Sequence, residues 1–577
     1  MIVPMKRLAL LCLARDSEKA LRALRDLGVV HVDLSGAAGA PFAAARKELA
    51  DAETAVRLLA KAAGECAAPA AGFVELSVAE VLAADAERRT ILDEADALRR
   101  LVRKYAPYGD FDPALARKLL DLGIDLSSVA ELPDPLPPER LSALESRLAE
   151  RLAAADAITA RMAAANREVG RIIAKWPELQ NLVAFRAAEE KLVGEGPVAA
   201  LEGWVPETDV PALRARAVAN CWGVALRDPA EGETPPTLIR PPKLFRPVKA
   251  LFDGLGIAPA YVEADVSVPF LCYFALFFAM LVGDGGYGAL LLALTLWGWR
   301  RTKPAEGHRP RLLRSWLTLS TVFSFCTIVW GVLSNTWFGA SLPGIDADAH
   351  TGLVRALAGA YNAVFNGAAA AWLGDPTYSN MMLLCFTIGV SHLVIARLWS
   401  GVCLWGDRTC LAQFGWAGIL LFMYLVTNAI VGIFPGVPPW AFWTFGVSLA
   451  LVFGFTLKGS ELKSRGIELG MLPLNVMSAL GDIISYVRLF AVGLASVKVA
   501  ENFNAMAIGL VDASNAWWIN ALMSVALVLI LLIGHGLNLA MAGLSILVHA
   551  VRLNTLEFSN HKGISWSGYA FSPFRKH

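Results

Sequence analysis

From residue 266 onward the chain is a succession of apolar runs joined by short polar connections. The runs lie near 266–299, 312–338, 377–400, 411–434, 438–456, 470–510 and 517–553. The four middle runs each suit one helical crossing of a bilayer, which takes roughly 20 residues. Residues 266–299 are broken by GDGGYG at 283–288, which predicts two short helices turning at 283–286. The last two runs exceed one crossing and predict long, strongly tilted helices.

The pattern before residue 250 is different. MKRLALLCL, SEKALRALRDLG and VVHVDL, within 5–34, read as strand, helix, strand. Positions 141, 144, 148, 151, 155, 158, 162, 165, 169 and 172 follow a three-four spacing, apolar throughout except Arg151, as on the seam of a coiled coil. Leu49, Ala52, Val56, Leu59 and Ala63 begin a matching seam that resumes at 91–102. Two such seams with a proline-rich interruption between them predict an antiparallel hairpin arm with a small head near its turn. Residues 198–228 return to strand, helix, strand and are expected to rejoin the first unit. The predicted architecture is an α-helical membrane protein with an N-terminal cytoplasmic domain over 1–250, built of α/β units and a coiled-coil arm. A transmembrane domain over 251–577 follows.

Charge fixes the expected topology. The connection RRTKPAEGHRPRLLR (300–314) is strongly basic and is expected inside, as are Arg408 and the run 458–465. The N-terminal half carries no export signal, because its first apolar run is soon interrupted by Arg15, Asp16 and Glu18. An even number of crossings must therefore precede 300, and the total becomes eight. The C-terminus then returns inside.

Composition narrows the chemistry. The 577 residues are 56% hydrophobic with a net charge of only +1. Eight scattered cysteines make no CxxC pair, so neither a disulfide framework nor a zinc site is indicated. No GxxxxGK[ST] loop, no GxGxxG after a strand and no HExxH occurs, so any energy source lies on another chain. No cofactor, metal, catalytic residue or nucleic-acid partner is expected.

The polar residues within the apolar runs are few. Arg488 stands in 481–500, on a face otherwise made of Gly481, Ser485, Ala491 and Ala495. A charge at a bilayer centre costs about 2.5–3.5 kcal/mol on insertion scales, so it is rarely there without a task. Small residues around it let another helix approach. The last run places Asn538, Ser545, His549 and Arg552 near one face, which suggests an aqueous path. Asp284 sits in the glycine turn and His392 in TIGVSHLVIARLWSG. Lys498 and Glu501, spaced i, i+3, suit an ion pair near the outer end of their helix.

FFAMLVGDGGYGALLL (277–292), GVSHL (389–393), GDIISYVRLFAVGLA (481–495) and ILVHAVRLNTLEF (546–558), with LEGWVP (201–206) and PPTLIRPPKLFRP (235–247), resemble the a subunit of the V/A-type rotary ATPases, called subunit I in bacteria and archaea. The resemblance implies a stator against which a ring of c-subunit proteolipids turns, in a bacterial or archaeal plasma membrane. It implies that Arg488 is the essential arginine facing the ring carboxylates and that Arg552 is its partner. Asp284 and His392 fall on the family's acidic turn and GxxHL histidine. The arm is implied to bind the peripheral-stalk E and G subunits, with the central stalk and ATPase head engaged indirectly. Ala542 and Ser496 stand where eukaryotic members carry a glutamate and a histidine. An ion-coupled secondary transporter would also use intramembrane Arg, Asp and His but would usually show two matching halves, and no internal repeat is visible. A coiled-coil scaffold would not explain Arg488 and Arg552.

Overall fold

The computed structural model describes every residue except 1, 35, 37, 66–74, 123–132, 134, 231, 303–307, 335, 341–378, 457–469, 511–516 and 577. The basic run 458–465 and residues 303–307 of the 300–314 connection thus lie outside the described residues. The chain forms two compact units. One holds Met5–Asp228 with Ser572–His577, the other Met1–Pro4 with Pro229–Phe571.

The first unit is built on an antiparallel sheet. Its strands are β1 (Met5–Leu13), β2 (His31–Val32), β3 (Val193–Glu195), β4 (Val198–Pro206) and β5 (Gly223–Arg227). The order is β2-β4-β1-β5, with β3 also on β4. Leu8 and Leu10 of β1 alternate inward with Leu201 and Val205 of β4, and helix α1 (Ser17–Leu27) covers them with Leu21 and Leu24. Gly203 is required where β4 passes β2, since a Cβ there would lie 2.6 Å from the His31 carbonyl oxygen. Two helices lead out, α2 (Ala40–Glu65) and α3 (Val78–Tyr105), and α4 (Pro113–Asp121) follows. Two lead back, α5 (Leu141–Ala164) and α6 (Glu168–Glu190), before α7 (Val210–Ala219). α3 lies along α5 and α2 along α6, the pairing of an antiparallel hairpin. Leu144, Ala155, Met162, Ala165 and Ile172 of the seam are buried, while Arg151, its polar member, stays exposed and pairs with Glu94 at 3.3 Å.

The second unit is mostly helical. After α8 (Val248–Leu255) come α9 (Ser267–Val282), α10 (Gly285–Arg301), α11 (His308–Ser334), α12 (Ser379–Cys403), α13 (Thr409–Ile430) and α14 (Pro439–Phe455). Then follow α15 (Leu472–Ile484), α16 (Val487–Ile508) and α17 (Trp517–Ser545). Two π-helical turns, Ile546–Ala550 and Leu553–Phe558, carry α17 on to the four-residue α18 (Ser559–Lys562). Among the described residues five helices are long and apolar enough to cross a membrane, or six if the bent pair α9–α10 is one span. α14, with 17 residues, is apolar but shorter.

Two features depart from the sequence reading. The run at 470–510 forms one span, Leu472–Ile508, as read from the sequence, but an irregular turn at Ser485 and Tyr486 divides it into α15 and α16. Arg488 stands near the middle of that span, in the first turn of α16. The final helix continues to Lys562, past the expected end at 553. α9 and α10 meet at 118° around Gly283, whose φ of 70° is the left-handed conformation that glycine adopts freely.

Candidate functional site

Arg488 is held by the break that precedes it. Tyr486 N–H bonds back to Ile483 O and Arg488 N–H to Ser485 O, i to i−3 contacts in place of helical ones. The Ser485 carbonyl, without its i+4 donor, accepts the Arg488 Nε at 2.8 Å as well, while Ser485 Oγ donates to Asp482 O at 2.6 Å. The second lone pair of that carbonyl and one guanidinium N–H are thus satisfied without solvent.

The distal end of Arg488 reaches Glu557. Arg488 Nη2 lies 2.8 Å from Glu557 Oε1, and Arg552 Nε lies 3.3 Å from the same oxygen. The two arginines named from the sequence thus meet on a carboxylate that sequence reasoning passed over. Arg552 and Glu557 are five residues apart, about 140° around an α-helix of 3.6 residues per turn. The π-helical turn Leu553–Phe558 winds more slowly and brings them onto one face. The signal available in the sequence was the acidic residue just past the final apolar run, in ILVHAVRLNTLEF (546–558).

The Glu557 side chain is 5% exposed, those of Arg488 and Arg552 21% and 56%. Beside them Gly481, Ala491 and Ala495 are exposed, and the space beside Gly481 is empty. His549 is within electrostatic reach of both arginines. Ser545 is half-buried one turn before it.

His392 is fully buried beside this site. Its ring stacks between Tyr273 at 4.1 Å and Phe558 at 4.5 Å, and its Nδ1 is 2.8 Å from the Tyr486 hydroxyl. Gly389, one turn earlier on α12, makes room for Tyr486, since a Cβ there would sit 2.5 Å from the ring. Toward the ends of α15 and α18, Arg397 Nε donates to His561 Nδ1 at 3.1 Å, and His561 Nε2 is 3.0 Å from Asp482 Oδ2.

Asp284 and Asn538 belong to a separate cluster. Asn538 precedes Arg552 by 14 residues, about 21 Å along an α-helix. Asn538 Nδ2 donates to the Tyr287 hydroxyl at 3.0 Å and to Ser496 O at 2.8 Å, and its Oδ1 accepts from Ser496 Oγ at 3.1 Å. Tyr287 continues to His535 Nδ1 at 2.8 Å, and His535 Nε2 to Asn504 Oδ1 at 3.1 Å. Asp284 Oδ1 accepts the N–H groups of Gly286 at 2.7 Å, Tyr287 at 3.3 Å and Phe338 at 2.8 Å, and Oδ2 that of Gly339 at 2.7 Å. Its carboxylate caps α10 and ties the turn to residues 338 and 339. Lys498 and Glu501 form an exposed pair at 2.6 Å.

The described residues of the membrane unit thus include a charged constellation around Glu557, beside a strip of small residues, and an uncharged one around Tyr287 and Asn538. No group of His, Cys, Asp and Glu among the described residues could hold a metal ion.

No protein-family model matches the chain. It is 27% identical to V-type ATP synthase subunit I 1 of Treponema pallidum, over the full length of both chains. It is 32% identical to V-type ATP synthase subunit I of Borreliella burgdorferi, over 65% of this chain and 60% of the relative. It is 29% identical to A-type ATP synthase subunit I of Methanocaldococcus jannaschii, over 65% of this chain and 54% of the relative. In the last two, the match spans less than two thirds of the relative's own length. With its several apolar helices and its full-length match, the chain is a multi-pass membrane homologue of subunit I of the V-type and A-type ATP synthases.

Proposed function

We propose that the chain is the membrane stator of a V/A-type rotary ATPase, with no catalytic chemistry of its own. It couples proton or sodium transport to ATP synthesis or hydrolysis on other chains. Its rotor-facing surface is the strip of Gly481, Ala491 and Ala495 with Arg488 at its edge. The observation that carries this reading is the convergence of Arg488 and Arg552 on Glu557 beside that exposed strip.

The physics follows from the groups. A rotor carboxylate that reaches the stator must release its ion, and a fixed cation favours its charged form. A guanidinium suits this because it keeps its proton at all ordinary pH. Fixed in place, it also blocks direct passage between two half-channels, so ions travel with the ring. Small side chains let successive ring helices pass without interlocking. The Tyr287–Asn538–Ser496 cluster serves one half-channel, and the groups toward Asp482 and His561 serve the other. His392 supports the interface through Tyr486, and Asp284 supports the turn. The arm of α2, α3, α5 and α6 engages the peripheral-stalk E and G subunits. The domain division at about 250, eight crossings with α14 as one of them, both termini in the cytoplasm, and residence in a bacterial or archaeal plasma membrane complete the proposal.

The test is ATP-driven ion pumping in vesicles reconstituted with the whole complex. Arg488→Ala should leave subunit content unchanged and reduce pumping to background. Arg488→Lys should be severely impaired, because lysine lacks the planar fork and sheds its proton when desolvated. Arg552→Ala should be milder. An intact Arg488→Ala complex pumping at the wild-type rate would overturn the proposal. Absence of an ATPase head and proteolipid ring from the protein purified in mild detergent would do the same.

A further inference from the structure

Two guanidiniums and one carboxylate leave one net positive charge at the centre of the candidate site. We propose that Glu557 is a fixed counter-ion that sets this charge, and with it the ion concentration at which a rotor carboxylate reloads. The inference rests on the reading of Arg488 as the group facing the rotor.

The geometry distinguishes Glu557 from an ordinary surface bridge. Both arginines address one oxygen, Oε1, while Oε2 is buried with no hydrogen-bond partner among the described residues. A buried carboxylate stripped of its partner is strongly destabilising, so it must stay paired throughout the working cycle. Two arginines on one oxygen achieve this. When Arg488 turns toward an arriving rotor carboxylate, Arg552 remains on Glu557. When the rotor carboxylate leaves, Arg488 returns to Glu557 and is never left unpaired in the membrane. Tyr486, in the helix break, and His561 also lie within electrostatic reach of Glu557.

The charge count then has a measurable consequence. With Glu557 present, the arriving carboxylate brings the site to neutrality. Without it a surplus positive charge remains in a low-dielectric setting, where opposite charges are coupled strongly. The surplus favours the ionised rotor carboxylate, so a higher ion concentration is needed to reload it. Removing Arg552 instead leaves Arg488 and Glu557 alone, and the reloading concentration should fall.

The experiment measures ATP-driven pumping by the reconstituted complex against the transported-ion concentration on the loading side. Glu557→Gln should assemble normally and raise the half-maximal concentration about tenfold, one pKa unit for a proton. Arg552→Gln should shift it in the opposite direction. The double variant restores the original charge count and should return it to within about twofold of wild type, well inside one pKa unit. Glu557→Asp, which keeps the charge, should leave it near wild type. An unshifted midpoint in assembled Glu557→Gln, or a double variant that does not return, overturns the role of Glu557. If Glu557→Gln fails to assemble, Arg552→Gln decides alone, and a midpoint that does not fall overturns the proposal. These outcomes are separable from failure of the stator reading, which requires Arg488→Ala to pump normally.

Discussion

At the scale of single residues, the candidates drawn from the sequence divide by how completely their polar atoms are used. Arg488 divides its side-chain donors between the Ser485 carbonyl and Glu557, and its side chain remains partly exposed beside a strip of small residues. Asp284 is the opposite case. Four backbone N–H groups occupy its carboxylate, which leaves little capacity to pick up and pass on an ion. Asp284→Asn keeps an acceptor oxygen and should pump within about threefold of wild type, since the cap outlives the loss of charge. Asp284→Ala strands several buried donors and should lower stability by about 2 kcal/mol or more. Thermal unfolding and pumping of the purified complex check both. An assembled Asp284→Asn complex that cannot pump would make Asp284 an ion carrier. Glu557 was hidden in the sequence for a geometric reason. Spacings of three and four define a helix face, and a partner five residues away shares the face only where the helix is π-wound.

At the scale of elements, the apolar runs foretold the positions of the long apolar helices, because a spanning helix must satisfy every backbone group internally and cover itself with apolar side chains. The turn at GDGGYG was equally visible, since Gly283 adopts the left-handed conformation there. The arm seams were visible because buried positions repeat, and even the polar exception, Arg151, remains exposed. The break before Arg488 was not visible, as no proline or glycine marks it. It arises from packing. Tyr486 is fully buried over Gly389, and its hydroxyl reaches His392. The sheet order β2-β4-β1-β5 was also beyond the sequence, because strand patterns specify faces but not distant partners. Gly389→Val tests the packing account. Its side chain would strike the Tyr486 ring, an overpacking that typically costs about 1–3 kcal/mol. Displacing Tyr486 should also loosen the break that positions Arg488, so pumping should fall more than subunit content does. Normal pumping by Gly389→Val would separate the tyrosine from the arginine's placement.

At the scale of the whole molecule, the chain closes on itself within its first unit, where residues 572–576 return to the sheet that residue 5 began. Phe574 donates its N–H to Val30 O at 2.7 Å, and its ring stacks with Phe185 at 6.4 Å. Just before it, His31 Nδ1 lies 2.9 Å from the Ser572 carbonyl oxygen and 3.1 Å from the Ser572 nitrogen, so the ring donates to the one or accepts from the other according to its tautomer. Burial lowers the His31 pKa from its ordinary 6.5, and the Ser572 carbonyl and the charge of Asp33 only partly oppose this. The folded state thus favours the neutral ring. The stabilisation is complete above about pH 6.5 and is lost as pH falls from there through the depressed folded value. Amide exchange at 572–575 in the full-length protein, compared at each pH with His31→Gln to cancel intrinsic rates, reads the effect directly. Wild-type protection should exceed that of the variant at pH 7.5, and the difference should shrink as pH falls below about 6.5, where histidine begins to change charge. Equal protection in the two proteins at every pH would mean that His31 does not hold the returning segment.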